Sequence, residues 1–414
     1  MKIQILDITR NIFHDPYDLF NLTAHEGGRP YWLDYFKPYC DDIGVDVNIM
    51  SFEELDLNKP WFLSLAPNSW NWTNFTESLL DYLPKNIAEH LLKGNGYLLL
   101  NHECESFTNK FYCEIHNMLI RSKLDANKVL YMVGAADAEK VYEKFANDNK
   151  IPKENRIKIL TSFHVFRRLD FNEDDFQYDR TVPKQRKFLS LNRTARTHRV
   201  MLVSLLAHYN LLDQGYVSLG LEPNDIEHSL SDLNQIPIYR DFRDKIYDGF
   251  EKIKPLIPMH VDQINLQENQ FKVNSLSSDF YQKTYFSIVT STFSLSKEEP
   301  SVGFTEKEIK PILYKHPFLI NNLPGALKHL RSMGFLTFGK WFDESYDDEI
   351  DDFERMHKLV LEIKRLSVIP NRMWDKMLRE MEPILLHNYN ILVKYNVEHI
   401  FFNSNLKDLL YYAN

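Results

Sequence analysis

Short apolar runs bounded by turn residues alternate along this chain with longer stretches whose apolar positions recur every three or four residues. The runs Lys2–Leu6, Val45–Met50, Trp61–Ala66, Gly96–Asn101, Val129–Val133 and Arg156–Thr161 have the length and composition of buried strands. Helical periodicity fills Tyr31–Tyr39, Glu77–Lys93, Asn109–Arg121 and Ala136–Asn147 between them. The rhythm resumes with strands at Lys187–Leu191, Tyr216–Leu219, Tyr285–Thr290 and Phe318–Asn321, and helices at Arg196–His208, Thr305–Tyr314 and Gly325–Met333. The segment Phe335–Phe338 closes the alternation, and an irregular stretch rich in Asp, Asn and Pro separates Leu219 from Tyr285. Two long helical patterns, Asp351–Leu366 and Asn371–Tyr395, end the chain. Strands alternating with helices imply a mostly parallel sheet covered on both faces.

A chain of 414 residues exceeds one ordinary core and suits two. Residues 170–187 are charged, poor in aliphatics and contain Pro183, as a linker would. The expected architecture is therefore α/β: two doubly wound Rossmann-like domains facing across a cleft, with a C-terminal helical tail. The boundaries are 1–183 for an acceptor-side domain, 184–366 for a donor domain and 367–414 for helices able to pack back across both. Ligands of such sheets bind at the carboxyl ends of strands.

Composition narrows the class. Hydrophobic residues make up 44% and charged residues 26%, as in a globular enzyme. There is no run of 18 apolar residues, so no membrane span is expected, and the first residues lack a signal-peptide pattern. The three cysteines, Cys40, Cys104 and Cys113, form a sparse odd set that fits reduced thiols and a cytoplasmic location.

The net charge of −9 is unevenly spread. Residues 1–183 hold 20 Lys/Arg against 28 Asp/Glu (−8), whereas residues 184–414 hold 29 against 30 (−1). The second half is the better place for an anion site. Residues 181–212 contain no Asp or Glu, and run strand, turn (Asn192 to Thr197), helix. A strand-to-helix turn brings amide N–H groups and the positive end of a helix dipole to one point, and Arg193 and Arg199 would add guanidinium groups there. Thr194 and Thr197 are candidate caps for this helix.

A second anion-binding signal is Thr305-Glu306-Lys307 at a helix start, followed by the strand Phe318–Asn321. Thr305 can cap the helix, Glu306 can accept ribose hydroxyls, and Lys307 supplies a point charge for phosphate. This segment resembles the donor-binding motif of fucosyltransferase-like GT-B glycosyltransferases. It is more similar still to glycosyltransferase-like proteins of bacteriophages and giant viruses. Their motifs are matched by Asn192-Arg-Thr-Ala-Arg-Thr-His-Arg199, Thr305-Glu-Lys, Lys310-Pro-Ile, Gly334-Phe-Leu-Thr-Phe338 and Asp343-Glu-Ser-Tyr-Asp347, a likeness covering roughly residues 185–366. The resemblance implies that Glu306 contacts the donor ribose, that Lys307 with Arg193 or Arg199 holds the diphosphate, and that Asn192 lies near the donor. Relatives often carry a Glu-Thr pair at the strand before the donor helix. Here the sequence is Ile288-Val-Thr-Ser-Thr292, without an acid.

The segment Asp343 to Asp352 holds seven acids in ten residues. Helix-start carboxylates explain it, and cationic side chains can neutralise a leaving diphosphate, so no metal is assigned. A general base is expected from the first domain. Two places put a His beside a carboxylate in a loop: His25-Glu26, with its paired glycines, and His102-Glu103 after the strand Gly96–Asn101. The candidates are Glu26, His25 and Glu103. Trp61, Trp70, Trp72 and Phe75 form an aromatic cluster suited to packing or to stacking on a sugar.

The expected function is hexosyl or pentosyl transfer from a UDP- or GDP-sugar, with no tightly bound cofactor. The acceptor would be a glycan or a hydroxymethylated pyrimidine in phage DNA, in host cytoplasm if the source is viral. A DNA acceptor would need a basic groove, for which Arg156, Lys158, His164, Arg167 and Arg168 are the local material. The alternatives are a nucleotide-sugar processing enzyme and a non-catalytic binding protein on a degenerate transferase fold.

Overall fold

The computed structural model describes residues 2–6, 46–51, 53–65, 80, 83, 85–102, 109–161, 176, 179–220, 240–261, 278–292, 294–295 and 301–394. The chain divides into two compact units, one drawn from Met1–Arg168 and Val397–Asn414 and the other from Leu169–Asn396. Each holds its own parallel sheet, so the fold is two Rossmann-like α/β units.

The first unit carries β1 (Lys2–Leu6), β2 (Asp46–Met50), β3 (Trp61–Leu65), β4 (Gly96–His102), β5 (Val129–Val133) and β6 (Lys158–Thr161). All are parallel, in the order β2-β1-β3-β4-β5-β6. Helices α1 (Lys85–Lys93), α2 (Asn109–Ser122) and α3 (Ala138–Asp148) supply the crossovers described. Leu98 and Leu100 are buried on one face of β4 and Leu99 on the other, and all of β5 is buried. Burial on both faces is why these strands are continuous apolar runs rather than alternating ones. Trp61 lies in this core with Tyr112, Tyr131 and Tyr142, so it is a packing residue and not a stacking platform. Trp70, Trp72 and Phe75 lie outside the described residues.

The second unit carries β7 (Phe188–Ser190), β8 (Gly215–Val217), β9 (Phe286–Thr290) and β10 (Phe318–Asn321), in the order β10-β9-β7-β8. Its helices are α4 (Thr197–His208), α5 (Arg240–Ile253), α6 (Ser278–Gln282), α7 (Glu306–Leu313), α8 (Ala326–Ser332), α9 (Asp352–Ser367) and α10 (Asn371–Lys394). From β7 the chain moves outward to β8 and later returns to β9 on the other side of β7. The strand order therefore reverses between β7 and β9, which makes their carboxyl ends the switch point of the sheet.

Two elements differ from the sequence expectation. The stretch read as irregular contains α5, whose Phe242, Ile246, Phe250 and Ile253 are buried at helical spacing. It covers α4, which is buried from Thr197 to Ala207 and, after Arg199, apolar on every face except at Ser204. Residues 335–338 form no strand. The Asn388 side chain on α10 takes the place of a neighbouring strand: Oδ1 accepts from Leu336 N–H and Nδ2 donates to Leu336 O, both at 2.8 Å.

The described part of the C-terminal helices packs on the second unit. Trp374 stacks on Tyr285 and Phe286, and its Nε1 donates to Leu366 O at 3.0 Å. Lys315 Nζ sits 3.9 Å from the centre of the Tyr389 ring, and Arg180 pairs with Glu382 at 2.6 Å.

Candidate functional site

The two anion-binding signals, a hundred residues apart in the chain, meet at the switch point. Asn192 and Thr290 each stand two residues beyond the paired Ser190 and Ile288, at the carboxyl ends of β7 and β9. From β7 the chain turns through Arg193 into α4; from β9 it runs through Ser291 towards α7. Ser291 joins them. Its carbonyl accepts from Arg199 Nη2 and His198 Nε2, each at 3.1 Å, and its hydroxyl donates to Glu308. Arg196 Nη1 donates to the next carbonyl, Thr292 O, at 3.1 Å.

Thr305 caps α7 as expected, through a capping box. Its Oγ1 accepts from Lys307 N–H, while Glu308 Oε2 accepts from Thr305 N–H at 2.8 Å and Oγ1–H at 2.9 Å. Glu308 is fully buried and Glu306 is not. Burial raises the Glu308 carboxyl against hydrogen bonds from Ser291 and Thr305 that lower it. Glu306 instead pairs with Lys307 at 2.7 Å. Burial alone would raise its carboxyl, but Lys307 and then Lys310 more than offset this and hold it below the ordinary value. Glu308 is thus a site residue the sequence reading passed over, although Thr-x-x-Glu before an apolar helix is a legible capping box.

Arg199 is 3% exposed and differs from the expected free phosphate ligand. Its Nη1 donates to Thr194 O and its Nη2 to Ser291 O, both at 3.1 Å, and Nε has no partner among the described residues. None of these acceptors is a carboxylate. Burial, and then the neighbouring Arg196, lower its guanidinium to about 10, against the pull of Glu306 and Glu308. His198, fully buried beside it, is pressed to about 3 by burial first and by Arg199 next, so the imidazole is neutral. Arg193 is exposed and has no side-chain partner among the described residues. Its carbonyl lies where a Cβ on Gly220 would come within 2.2 Å, and Gly220 N–H donates to Asn192 O at 2.9 Å. Any side chain at 220 would therefore push the turn away.

Asn192 is buried. Its amide donates to Ser218 Oγ at 2.9 Å and Nδ2 to Ser190 Oγ at 3.2 Å, while Oδ1 has no partner among the described residues. Thr290 Oγ1 and Ser294 Oγ, on and just after β9, are likewise buried and unpartnered. The N-cap residue of α4 is Arg196, not Thr194 or Thr197, and it makes no side-chain cap; Thr194 instead offers its carbonyl to Arg199 Nη1 and to Arg196 N–H. A buried guanidinium hydrogen-bonded only to carbonyls among the described residues, after a turn that also leaves Asn192 Oδ1 unpartnered, is an arrangement an anionic ligand would stabilise.

The acidic segment supports the fold. Asp347 accepts from Leu327 N–H (2.9 Å) and Lys328 N–H (3.1 Å) and so caps α8, whose own start is Gly325 at φ +83°. Asp351 caps α9 through Phe353 and Glu354 N–H, both at 2.9 Å. Among the described residues no group of three or more His, Cys, Asp or Glu could hold a metal. His25, Glu26 and Glu103 lie outside the described residues, as do His164, Arg167 and Arg168. Arg156 bonds to Glu143, Asn147 and Ile151 O within the first unit.

No family model and no curated protein matches the chain. Similar solved structures include a UDP-forming α,α-trehalose-phosphate synthase from Burkholderia vietnamiensis (10% identity, 86% of this chain and 74% of the other, TM-score 0.43). The N-terminal domain of trehalose-6-phosphate phosphatase from Candida albicans is similar at 8% identity, over 96% of this chain and 97% of the other, with a TM-score of 0.41. A trehalose-6-phosphate synthase is similar at 10% identity, over 96% and 82%, with a TM-score of 0.46. At this level of likeness nothing about their chemistry carries over.

Proposed function

We propose that the chain is a glycosyltransferase that takes a sugar from a UDP- or GDP-sugar bound at the β7/β9 switch point and moves it to a hydroxyl acceptor. The observation that supports this most is the buried Arg199 guanidinium, which hydrogen-bonds to the carbonyls of Thr194 and Ser291 and to no carboxylate among the described residues, and lies where two helix N-termini converge. A buried charge without a directly bonded counter-ion is costly; Glu306 and Glu308 offset it only in part, and a diphosphate would complete the balance. The likeness of Asn192–Arg199 and Thr305–Lys307 to fucosyltransferase-like and viral GT-B motifs points to the same ligand.

The roles divide by exposure. Lys307 and Arg193 have accessible side chains and would contact the diphosphate, whose leaving charge they would stabilise. Arg199 contributes charge from behind while holding Ser291. Glu306 would leave Lys307 and accept the ribose hydroxyls, and Asn192 would offer its vacant Oδ1. The general base is proposed from the first unit: His25-Glu26, or Glu103. Both acceptor classes remain within the proposal. The charge of −8 on residues 1–183 and the internal bonds of Arg156 favour a glycan over DNA.

The test is a thermal-shift screen with UDP, GDP, CMP and their sugars, using Lys307→Ala as control. A ligand at about 100 times its Kd stabilises the folded state by roughly 2.7 kcal/mol. A selective shift that Lys307→Ala abolishes is expected. A cooperatively melting protein that responds to no nucleotide would leave the donor site without support and favour a binding protein on a degenerate fold.

A further inference from the structure

The segment between β9 and α7 delivers Thr305, Glu306 and Lys307 to the site, and one side chain holds it near both ends. Arg355, in the first turn of α9, is 2% exposed. Its Nη2 donates to Ser294 O and to the Asp352 carboxylate, both at 2.6 Å, and its Nε donates to Asn322 O at 2.9 Å. Its Nη1 donates to Glu349 O at 3.1 Å and Ile350 O at 3.5 Å. Asn322 in turn donates from Nδ2 to Gly303 O at 2.9 Å, while its Oδ1 accepts from Leu323 N–H at 2.6 Å. One guanidinium thus fixes Ser294 directly and Gly303 through Asn322, and Gly303 is two residues from the helix cap.

We propose that Arg355 is the positioning residue of the switch-point site: it sets Ser294 and Gly303, on the connection between β9 and α7, and through Gly303 the place of Lys307. Two of its acceptors, Ser294 and Asn322, are carbonyls distant in sequence, and a planar fork of five N–H groups reaches them, together with the nearby Glu349 carbonyl, from one buried point. A lysine has three donors on a flexible stem and no fork. Asp352 supplies the counter-charge, so the fork is left to orient backbone rather than to bind an anion. The consequence for ligand affinity rests on the donor-site reading; the effect on the segment does not.

The full chain, Arg355→Lys and Asn322→Ala are compared by hydrogen exchange and by titration with UDP and GDP. Asn322→Ala keeps the buried charge pair, so it carries the test if Arg355→Lys does not fold. Arg355→Lys is expected to speed exchange at least tenfold in peptides spanning 288–295 and 301–307, with β7 and the first unit unchanged. Asn322→Ala should do so only in 301–307. Affinity for the nucleotide that wild type binds should fall roughly ten- to a hundredfold in Arg355→Lys. Exchange that rises uniformly across the second unit, or not at all, overturns the proposal. So does an unchanged affinity in a variant whose segment has loosened. If wild type binds neither nucleotide but the segment still responds locally, the donor reading fails and the positioning of the segment by Arg355 stands.

Discussion

The carbonyl of Ser291 gathers Arg199 and His198, and the hydroxyl of the same residue reaches Glu308. Because the carbonyl can only accept, His198 must carry its proton on Nε2, and the imidazole stays neutral with two arginines near it. His316 is held in the same way elsewhere in the unit. Its Nε2–H donates to Thr284 O at 3.0 Å and its Nδ1 accepts from Ser287 Oγ at 2.8 Å. Burial, then Lys184, press it to about 3 from an ordinary 6.5. A depressed folded-state value contributes stability that is present above the unfolded value and is lost as pH falls towards the folded one. The window here is therefore from about 6.5 down to about 3. Replacing His316 by Gln, which does not titrate, should flatten the dependence of unfolding free energy on pH by up to about 1.4 kcal/mol per pH unit within that window. Urea unfolding at pH 6, 5 and 4 reads this slope independently of any constant loss of stability. Parallel profiles for wild type and variant would mean that His316 is not the proton acceptor on unfolding.

Helix α4 carries Arg199 to the site, and its position depends on how closely α5 approaches it. A Cβ added at Gly249 would lie 1.7 Å from Ser204 O, a backbone atom that cannot rotate aside. Two effects oppose each other in Gly249→Ala. Helix propensity favours alanine by about 1 kcal/mol, and overpacking against backbone costs roughly 1–3 kcal/mol or more. With so short an approach the clash should win, and a net loss on the order of 2 kcal/mol is expected in urea unfolding. A variant as stable as wild type would show that the helices separate freely. Elements of this kind differ in how far the sequence reveals them. The central strands were legible because they are buried on both faces, which leaves runs such as Val129–Val133, apolar throughout, and Phe286–Thr290, polar only at Ser287 and Thr290. Helix α5 was hidden by its charged residues and its glycine, although Phe242, Ile246, Phe250 and Ile253 keep the helical spacing. The segment 335–338 has strand composition, but its backbone is paired by a side chain fifty-two residues away, which no local pattern encodes. At the site, the sequence placed Thr305 at its cap, and the Thr-x-x-Glu spacing was there to identify Glu308. The burial of Arg199 and the reach of Arg355 depend on carbonyls remote in sequence and leave no local signal.

At the scale of the whole molecule, every contact described at the candidate donor site falls within Leu169–Asn396. That unit has its own four-stranded sheet, with α4 under α5 on one side and Trp374 of α10 against Tyr285 and Phe286. Its length lies in the range of independently folding domains. The segment Leu169–Asn396 alone is therefore expected to unfold cooperatively. It should keep the nucleotide-dependent thermal shift of the full chain, again abolished by Lys307→Ala. It should not transfer sugar to an acceptor, because the proposed base, His25-Glu26 or Glu103, lies in the part removed. Binding and transfer thus separate at the unit boundary. A segment that binds nucleotide and also glycosylates an acceptor would place the base in the second unit and overturn the assignment to the first. A segment that folds but binds nothing would show that residues outside it complete the donor site, and the search for them would turn to residues 1–168 and 397–414.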